Sequence, residues 1–261
     1  MTVLIHELKQ GRTSFWIWAA SVGFLLAVCV VLFPEMKGQM EGISELFSSM
    51  GSFSAAFGMD RLNFGTLIGF YSVECGNILG LGGSFFASLC AVNILSKEER
   101  GRTAEFLFAH PVSRAGIVTQ KLAAVLLQIT VWNLLLFAVS VGSVAAVGES
   151  IPWKEFVLLH LAFFLMQIEL AGICFGVSAF LRRGGAGVGL GIAAMMYFLN
   201  LIANITESAS FLKYITPFGY CEGADIAANG TLDWGQVAIG MTFCVLGIAA
   251  AYLQYLRKDL R

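Results

Sequence analysis

Residues 15–33 read "FWIWAASVGFLLAVCVVLF", 19 positions without a charge. A helix crossing the hydrocarbon core of a bilayer needs about 20 consecutive apolar residues. This stretch meets that requirement, and residues 122–147, "LAAVLLQITVWNLLLFAVSVGSVAAV", meet it again. Outward from these two, six windows of this kind are legible: Phe15–Phe33, Gly65–Leu95, Leu122–Val147, Phe156–Leu181, Gly184–Ile205 and Trp234–Leu256. Composition agrees, because hydrophobic residues make up 57% of the chain and charged ones 13%, with a mean hydropathy of +0.78. Soluble domains carry about 25% charge, so this chain lacks the polar surface to cover itself in water. No short alternating segments suggest a barrel. The expected fold is all-α: a polytopic membrane protein with six transmembrane helices.

Details of the windows support helices. Pro34, Pro111, Pro152 and Pro217 all fall outside them, as uninterrupted helices require. The second window is long for a perpendicular crossing, so it is expected to tilt or to begin with an interfacial turn. Basic residues set the orientation, because positively charged loops stay cytoplasmic. With the N-terminus inside, 12 of the 16 Lys and Arg residues face the cytoplasm, and only Lys37, Arg61, Lys154 and Lys213 face outward. Both ends are therefore expected inside. The first span is not read as a cleaved signal peptide, since it lacks a small-x-small cleavage site and follows the polar "HELKQGR". Five of six cysteines lie within windows, so no disulfide framework is expected.

Outside the spans, residues 1–14 are expected to form an amphipathic helix in the inner headgroup layer, alternating Val3, Leu4 and Leu8 with Glu7, Lys9 and Arg12. Two external segments, 34–64 and 206–233, are the longest connections. The second is expected to dip into the outer interface through Phe211, Ile215, Phe218 and Tyr220. One membrane domain, 1–261, accounts for the whole chain and leaves no room for a soluble catalytic domain. The spacings Gly65-x-x-x-Gly69, Gly76-x-x-x-Gly80 and Gly172-x-x-x-Gly176 permit close helix contact. "GGAGVGLG" at 184–191 lacks the spacing and context of a nucleotide fingerprint.

Polar residues within spans are the candidates for chemistry. Glu74 and Glu169 are costly in lipid, so each either serves a translocation or gating role or makes a satisfied interhelical hydrogen bond. Tyr71, Glu74 and Asn77 make a polar stripe on the second span, Gln128 and Asn133 add polarity to the third, and His160 and Gln167 share a face on the fourth. Glu74, Asn77, Glu169 and Gln128 are accordingly candidates for a substrate path. Catalysis finds no support: three histidines lack metalloprotease spacing, and neither G-x-S-x-G nor a midspan Asp pair occurs. No metal site is expected.

The most informative connection is residues 96–121, "SKEERGRTAEFLFAHPVSRAGIVTQK". Thr103 is an acceptable N-cap and Glu105 suits the first turn of a short helix. That helix must stop near Ala109, because Pro111 restricts His110. Ser113 can then cap the helix entering the third span. Phe106, Leu107 and Phe108 thus form an apolar knob among charges, which marks a protein contact; the alternative is that they fold back onto the membrane face.

This loop resembles the signature loop of ABC transporter permease subunits of the ABC-2 type. Glu99, Thr103, Glu105, Leu107, Pro111, Val112, Ser113, Arg114 and Lys121 fit the pattern, while Arg102 and Phe108 depart from it. The opening "HELKQGRTSFWIW" is similar to the family's elbow helix, and "ITPFGYCEGADIAANGTLDW" to the segment before its last span. The resemblance implies that 96–121 holds a cytoplasmic coupling helix between the second and third spans. It would dock through Glu99, Thr103, Glu105, Phe106, Leu107, Phe108, Pro111, Ser113 and Arg114 on a separate ABC ATP-binding subunit present in two copies.

The chain has no G-x-x-x-x-G-K-[ST], so ATP and Mg are expected on that partner and no cofactor on this chain. A second permease chain, identical or paralogous, would complete the path. The implied role is permease subunit of an ATP-driven exporter in the inner or plasma membrane of a bacterial cell, with no enzymatic activity of its own and no nucleic-acid partner. The alternative is a non-transporting sensor or accessory subunit that docks an ATPase for signalling or resistance. A secondary transporter would leave the Phe-bearing knob without a purpose and shows no inverted repeat. The cargo is not legible, although ten acids against four bases outside would favour cationic substrates.

Overall fold

The structure is a computed structural model describing residues 2–97, 113–181 and 185–257, with side chains except those of 39–49 and residue 207. Six helices are long and apolar enough to cross a membrane. No strand occurs among the described residues. The first span lies within α1 (Thr2–Ser49). The short α2 (Ser52–Ala56) and a 3-10 turn, Met59–Arg61, follow it. The second span joins α3 (Leu67–Phe70), a π-helical turn at Tyr71–Cys75 and α4 (Gly76–Val92). The remaining spans are α5 (Arg114–Ala146), α6 (Trp153–Ser178), α7 (Ala186–Ile205) and α9 (Trp234–Arg257), with α8 (Gly223–Asn229) preceding the last.

Residues 2–14 are helical and continue into the first span as one helix, Thr2–Ser49. Pro34 lies inside the same helix. A proline removes one backbone donor and crowds the preceding turn; here the helix continues on both sides of it for more than a dozen residues. The second span begins after a turn at 64–66, one of the two alternatives expected from its length. Thr66 caps α3 by accepting from the Gly69 amide at 3.2 Å, and its own hydroxyl donates to the Asn63 carbonyl.

The core sits where α4 and α6 meet α1 and α5. Phe86 of α4 stacks on Trp132 of α5 with centroids 4.9 Å apart, and both rings are fully buried. α1 and α9 instead turn Trp16, Phe24 and Leu25, and Trp234, Val245 and Leu246, outward, the pattern of lipid-facing helices. One face of the bundle holds the first turns of α1 and α5 and the far ends of α4, α6 and α9; it is called the terminal face below. There Leu95 N donates to Ser178 Oγ at 2.9 Å and Gly185 N to Asn93 Oδ1 at 2.7 Å, which ties the end of α4 to α6 and α7.

Lipid supplies no hydrophobic force between helices, so close packing of small residues holds them. The Gly172–Gly176 spacing serves that purpose on α6 against Gly247 of α9. A Cβ on Gly247 would stand 2.6 Å from the Gly172 carbonyl oxygen, and one on Gly176 2.7 Å from that of Gly247. Gly76 and Gly80 similarly admit the Phe163 ring. Of the glycine run on α7, Gly189 packs on Val92 while Gly187 and Gly191 face open space. Overpacking costs about 1–3 kcal/mol, and 1 kcal/mol moves the unfolding midpoint of a chain this size by roughly 2–4 °C. Gly247→Val should therefore lower the midpoint in detergent by about 5 °C or more, and Gly142→Val, which meets nothing within 4 Å, by far less; equal shifts would contradict this packing.

Candidate functional site

At the terminal face a single carboxylate joins three helices. Glu7 of α1 is buried, at 3% exposure. It accepts from Lys121 Nζ of α5 at 2.8 Å and in a short contact from Lys97, just beyond α4. Lys121 is fully buried and also donates to the Ile94 carbonyl at 2.7 Å. Lys97 further reaches Gln10, and the Leu4 amide donates to Gln120 Oε1, which satisfies an otherwise open donor in the first turn of α1. A buried charge persists only when paired and hydrogen-bonded, and here every pairing crosses between elements.

The connection 98–112 leaves from and returns to this node. Glu99, Thr103, Glu105, Phe106, Leu107, Phe108 and Pro111 lie outside the described residues. Ser113 and Arg114 are described. The Ser113 side chain caps α5 by accepting from the Gly116 amide at 3.1 Å, as its position suggested. Arg114 Nη1 donates to the Leu256 carbonyl at 3.4 Å, so the re-entering helix also touches the end of α9.

The four intramembrane candidates separate. Glu169 is buried between α6 and α9: its Oε1 accepts from Tyr220 OH at 2.8 Å, and its carboxyl fills the place a Cβ on Gly240 would take. Its hydrogen-bond partner thus comes from a turn of the 206–233 connection, Gly219–Cys221. Gln128 packs beneath Gly11 of α1, and Cys90 Sγ lies 4.0 Å from its Oε1. The expected stripe of Tyr71, Glu74 and Asn77 does not form. The π turn rotates these residues apart: Tyr71 OH meets Ser140 at 2.8 Å and His160 at 2.9 Å, whereas Asn77 accepts from Tyr197 OH of α7 at 3.0 Å. Glu74 is half-buried, in a turn type that recurs at functional sites. His160 and Gln167 both face inward, to Tyr71 and to Asn133 respectively.

Asn77 opens onto a cavity of about 60 Å³ at the face opposite the node. α4, α7, the π turn and both long connections surround it, with Ser72, Asn77, Tyr197, Asn200 and Glu222 among its polar lining and Phe57, Phe163 and Phe218 among its apolar lining. Glu222 anchors the two connections. Arg61 donates to it at 2.6 Å and to Asp225 at 2.7 Å, and Lys213 stands 3.6 Å from it. Partial burial works to lower the Arg61 pKa, but the carboxylates of Glu222 and Asp225 outweigh this and hold it above the usual value. Of the four residues expected to dip into the outer interface, Phe218 and Tyr220 are buried and Phe211 and Ile215 are exposed; Cys221 beside them is also buried.

Several of these residues escape a reading by sequence alone. Glu7 sits in a polar segment where an acid draws no attention, although it falls on the same helical face as Val3 and Leu4. Asn200 and Asn204 are single polar positions in an apolar window, and their neighbours lie far away in sequence.

A family model described as an ABC-2 family transporter protein matches residues 1–260. No curated protein matches the chain.

Lys121 is wholly buried and Lys97 keeps 19% of its side chain exposed. Removing one partner of a buried ion pair costs about 3–5 kcal/mol, and of an exposed one under 1. Glu7→Leu should therefore destabilise the chain by several kcal/mol and Lys97→Met by clearly less, read as thermal midpoints in detergent. A Lys97→Met loss equal to that of Glu7→Leu would show that the node does not depend on the buried lysine.

Proposed function

The chain belongs to the ABC-2 transporter family, a family of membrane permease components of ABC systems that associate with an ABC ATP-binding subunit. From that membership we propose that it is the permease subunit of an ATP-driven exporter and is worked through residues 98–112 by a separate ATPase. The observation that carries this is the Glu7 node. A loop that transmits force needs a base that does not yield, and here Lys97 before it and Lys121 after it are held by one carboxylate.

The terminal face is then cytoplasmic, as its share of the basic residues favours, and the cavity opens toward the outside. ATP and Mg belong to the ATPase, present in two copies, and this chain performs no chemistry. Phe106, Leu107 and Phe108 fill an apolar groove on that ATPase while Glu99, Glu105 and Arg114 orient the contact. A second permease chain completes the path, in the plasma membrane of a bacterial cell.

The test is gentle purification of the tagged chain from its native membranes, with identification of what accompanies it. A stoichiometric P-loop ATPase is expected, and Phe106→Ala/Phe108→Ala should reduce its recovery at least tenfold with the permease still folded. Recovery unchanged by that double substitution would exclude the loop as the docking element. Glu7→Gln should instead retain the ATPase but uncouple it, so that ATP no longer alters the accessibility of a cysteine placed at the cavity. If ATP alters nothing there in the unsubstituted complex either, the subunit docks an ATPase without moving cargo.

A further inference from the structure

We propose that Cys29 and Cys75 are a disulfide-forming pair, whose bond staples the first span to the π turn of the second. The proposal rests on helix register and stands apart from the permease reading. α1 runs antiparallel to the second span, and three contacts fix how the two match. The Phe33 and Phe70 rings lie 5.2 Å apart, and those of Phe15 and Phe86 6.2 Å apart. Between these pairs, a Cβ on Gly82 would stand 2.9 Å from Val22 Cγ2, so the helices run close. From Phe33 back to Cys29 is four positions, about one turn of α1, and from Phe70 on to Cys75 is five. An α-helix would bring the fourth position, Glu74, to that height. The turn Tyr71–Cys75 is π-helical, however, and closes its hydrogen bonds over five residues instead of four. Cys75 is therefore the residue brought opposite Cys29, and the two thiols face each other.

The other four cysteines are placed differently. Cys90 Sγ lies 4.0 Å from Gln128 Oε1, Cys221 and Cys244 meet the carbonyls of Pro217 and Ile168 at 3.5 Å, and Cys174 faces Ser88. Cys75 is fully buried, whereas Cys29 is only partly so and lies between the exposed Val28 and Leu32. Dioxygen, an apolar oxidant that dissolves in lipid, can therefore reach the pair through Cys29. Closure removes one hydrogen from each thiol and makes one S–S bond. The two electrons and two protons pass to dioxygen, which leaves as hydrogen peroxide. The cysteines are 46 positions apart in sequence, and a bond across so long a loop restricts the unfolded chain. It also holds one wall of the cavity, since Ser72 and Gly76 on either side of Cys75 line it.

The experiment uses the full chain, with whatever subunits accompany it, in lipid nanodiscs, treated either with copper phenanthroline in air or with dithiothreitol. Each sample is then denatured, alkylated with N-ethylmaleimide and weighed by mass spectrometry. With six cysteines in the chain, the reduced sample should carry six adducts and the oxidised one four, as a monomer. Cys29→Ser and Cys75→Ser should each carry five adducts under both treatments, whereas Cys174→Ser should fall from five to three. Six adducts after oxidation of the unsubstituted chain, or a loss of two that survives Cys29→Ser, would overturn the proposal. So would a disulfide-linked dimer, because Cys29 would then meet a second copy instead of Cys75. The oxidised chain should also unfold about 5 °C or more above the reduced one, and Cys29→Ser should remove that difference. An unchanged midpoint would show that the bond does not staple the two spans. Cys29 is the less buried of the two, so its variant carries the test if Cys75→Ser does not fold.

Discussion

One buried carboxylate organises the terminal face. Two charges taken out of water lose several kcal/mol of solvation each, and their attraction restores it only where geometry is good and remaining lone pairs are used. Glu7 meets both conditions, with Lys121 on one oxygen and Lys97 on the other, and Lys121 adds the Ile94 carbonyl. No helix of the three can shift along its axis without separating one of these contacts. Lys97 directly precedes 98–112 and Lys121 lies two turns into the helix that follows it, so the elements on both sides of the connection are held by the same carboxylate on α1.

The rest of the bundle uses a different means of adhesion. α6 and α9 approach until glycine backbones touch at Gly172, Gly176 and Gly247, and the one acid on that seam, Glu169, is absorbed by Tyr220 and the space over Gly240. α7 meets α4 through Gly185, Gly189 and the Tyr197–Asn77 hydrogen bond, is tied to the connections through Asn204, and turns Val188, Met195, Phe198 and Ile202 outward. The polar groups of the membrane region are therefore of two kinds. Glu169, Gln128, His160 and Gln167 serve contacts between helices, whereas Asn77, Tyr197 and Asn200 surround space.

The six spans were legible because apolar run length is a one-dimensional signal that burial in lipid imposes directly. The windows Phe156–Leu181 and Trp234–Leu256 contain or match α6 and α9 to within a few residues. Ser113 was legible for a similar reason, since capping is local chemistry. The polar stripe on the second span was misread because the inference assumed 3.6 residues per turn, and a π turn at Tyr71–Cys75 breaks that period. The continuity of α1 was missed because an amphipathic N-terminal segment and a proline each suggest a boundary, while neither forces one. Glu7 and Asn200 were beyond reach for a more general reason. Their meaning lies in partners or space contributed by other helices, such as Lys121, 114 positions on, and no local pattern records that.

The second span connects the two ends of the molecule. α4 has 17 residues, a rod of about 25 Å at 1.5 Å per residue. Lys97, just beyond one end, belongs to the Glu7 node; Gly76 and Asn77 at the other belong to the cavity wall. Below the cavity α4 is uninterrupted α-helix, Gly76–Val92, so it resists compression. The π turn lies at the opposite end, with its Ser72 packed under Gly223 of α8, and such turns recur at functional sites. Under the permease reading, a displacement applied to 98–112 would therefore cross the membrane undiminished along α4 and find its compliance next to the cavity. The same displacement would move Asn77 against Tyr197 of α7. The shape of the cavity wall would then change while the core around Phe86 and Trp132 stays as it is.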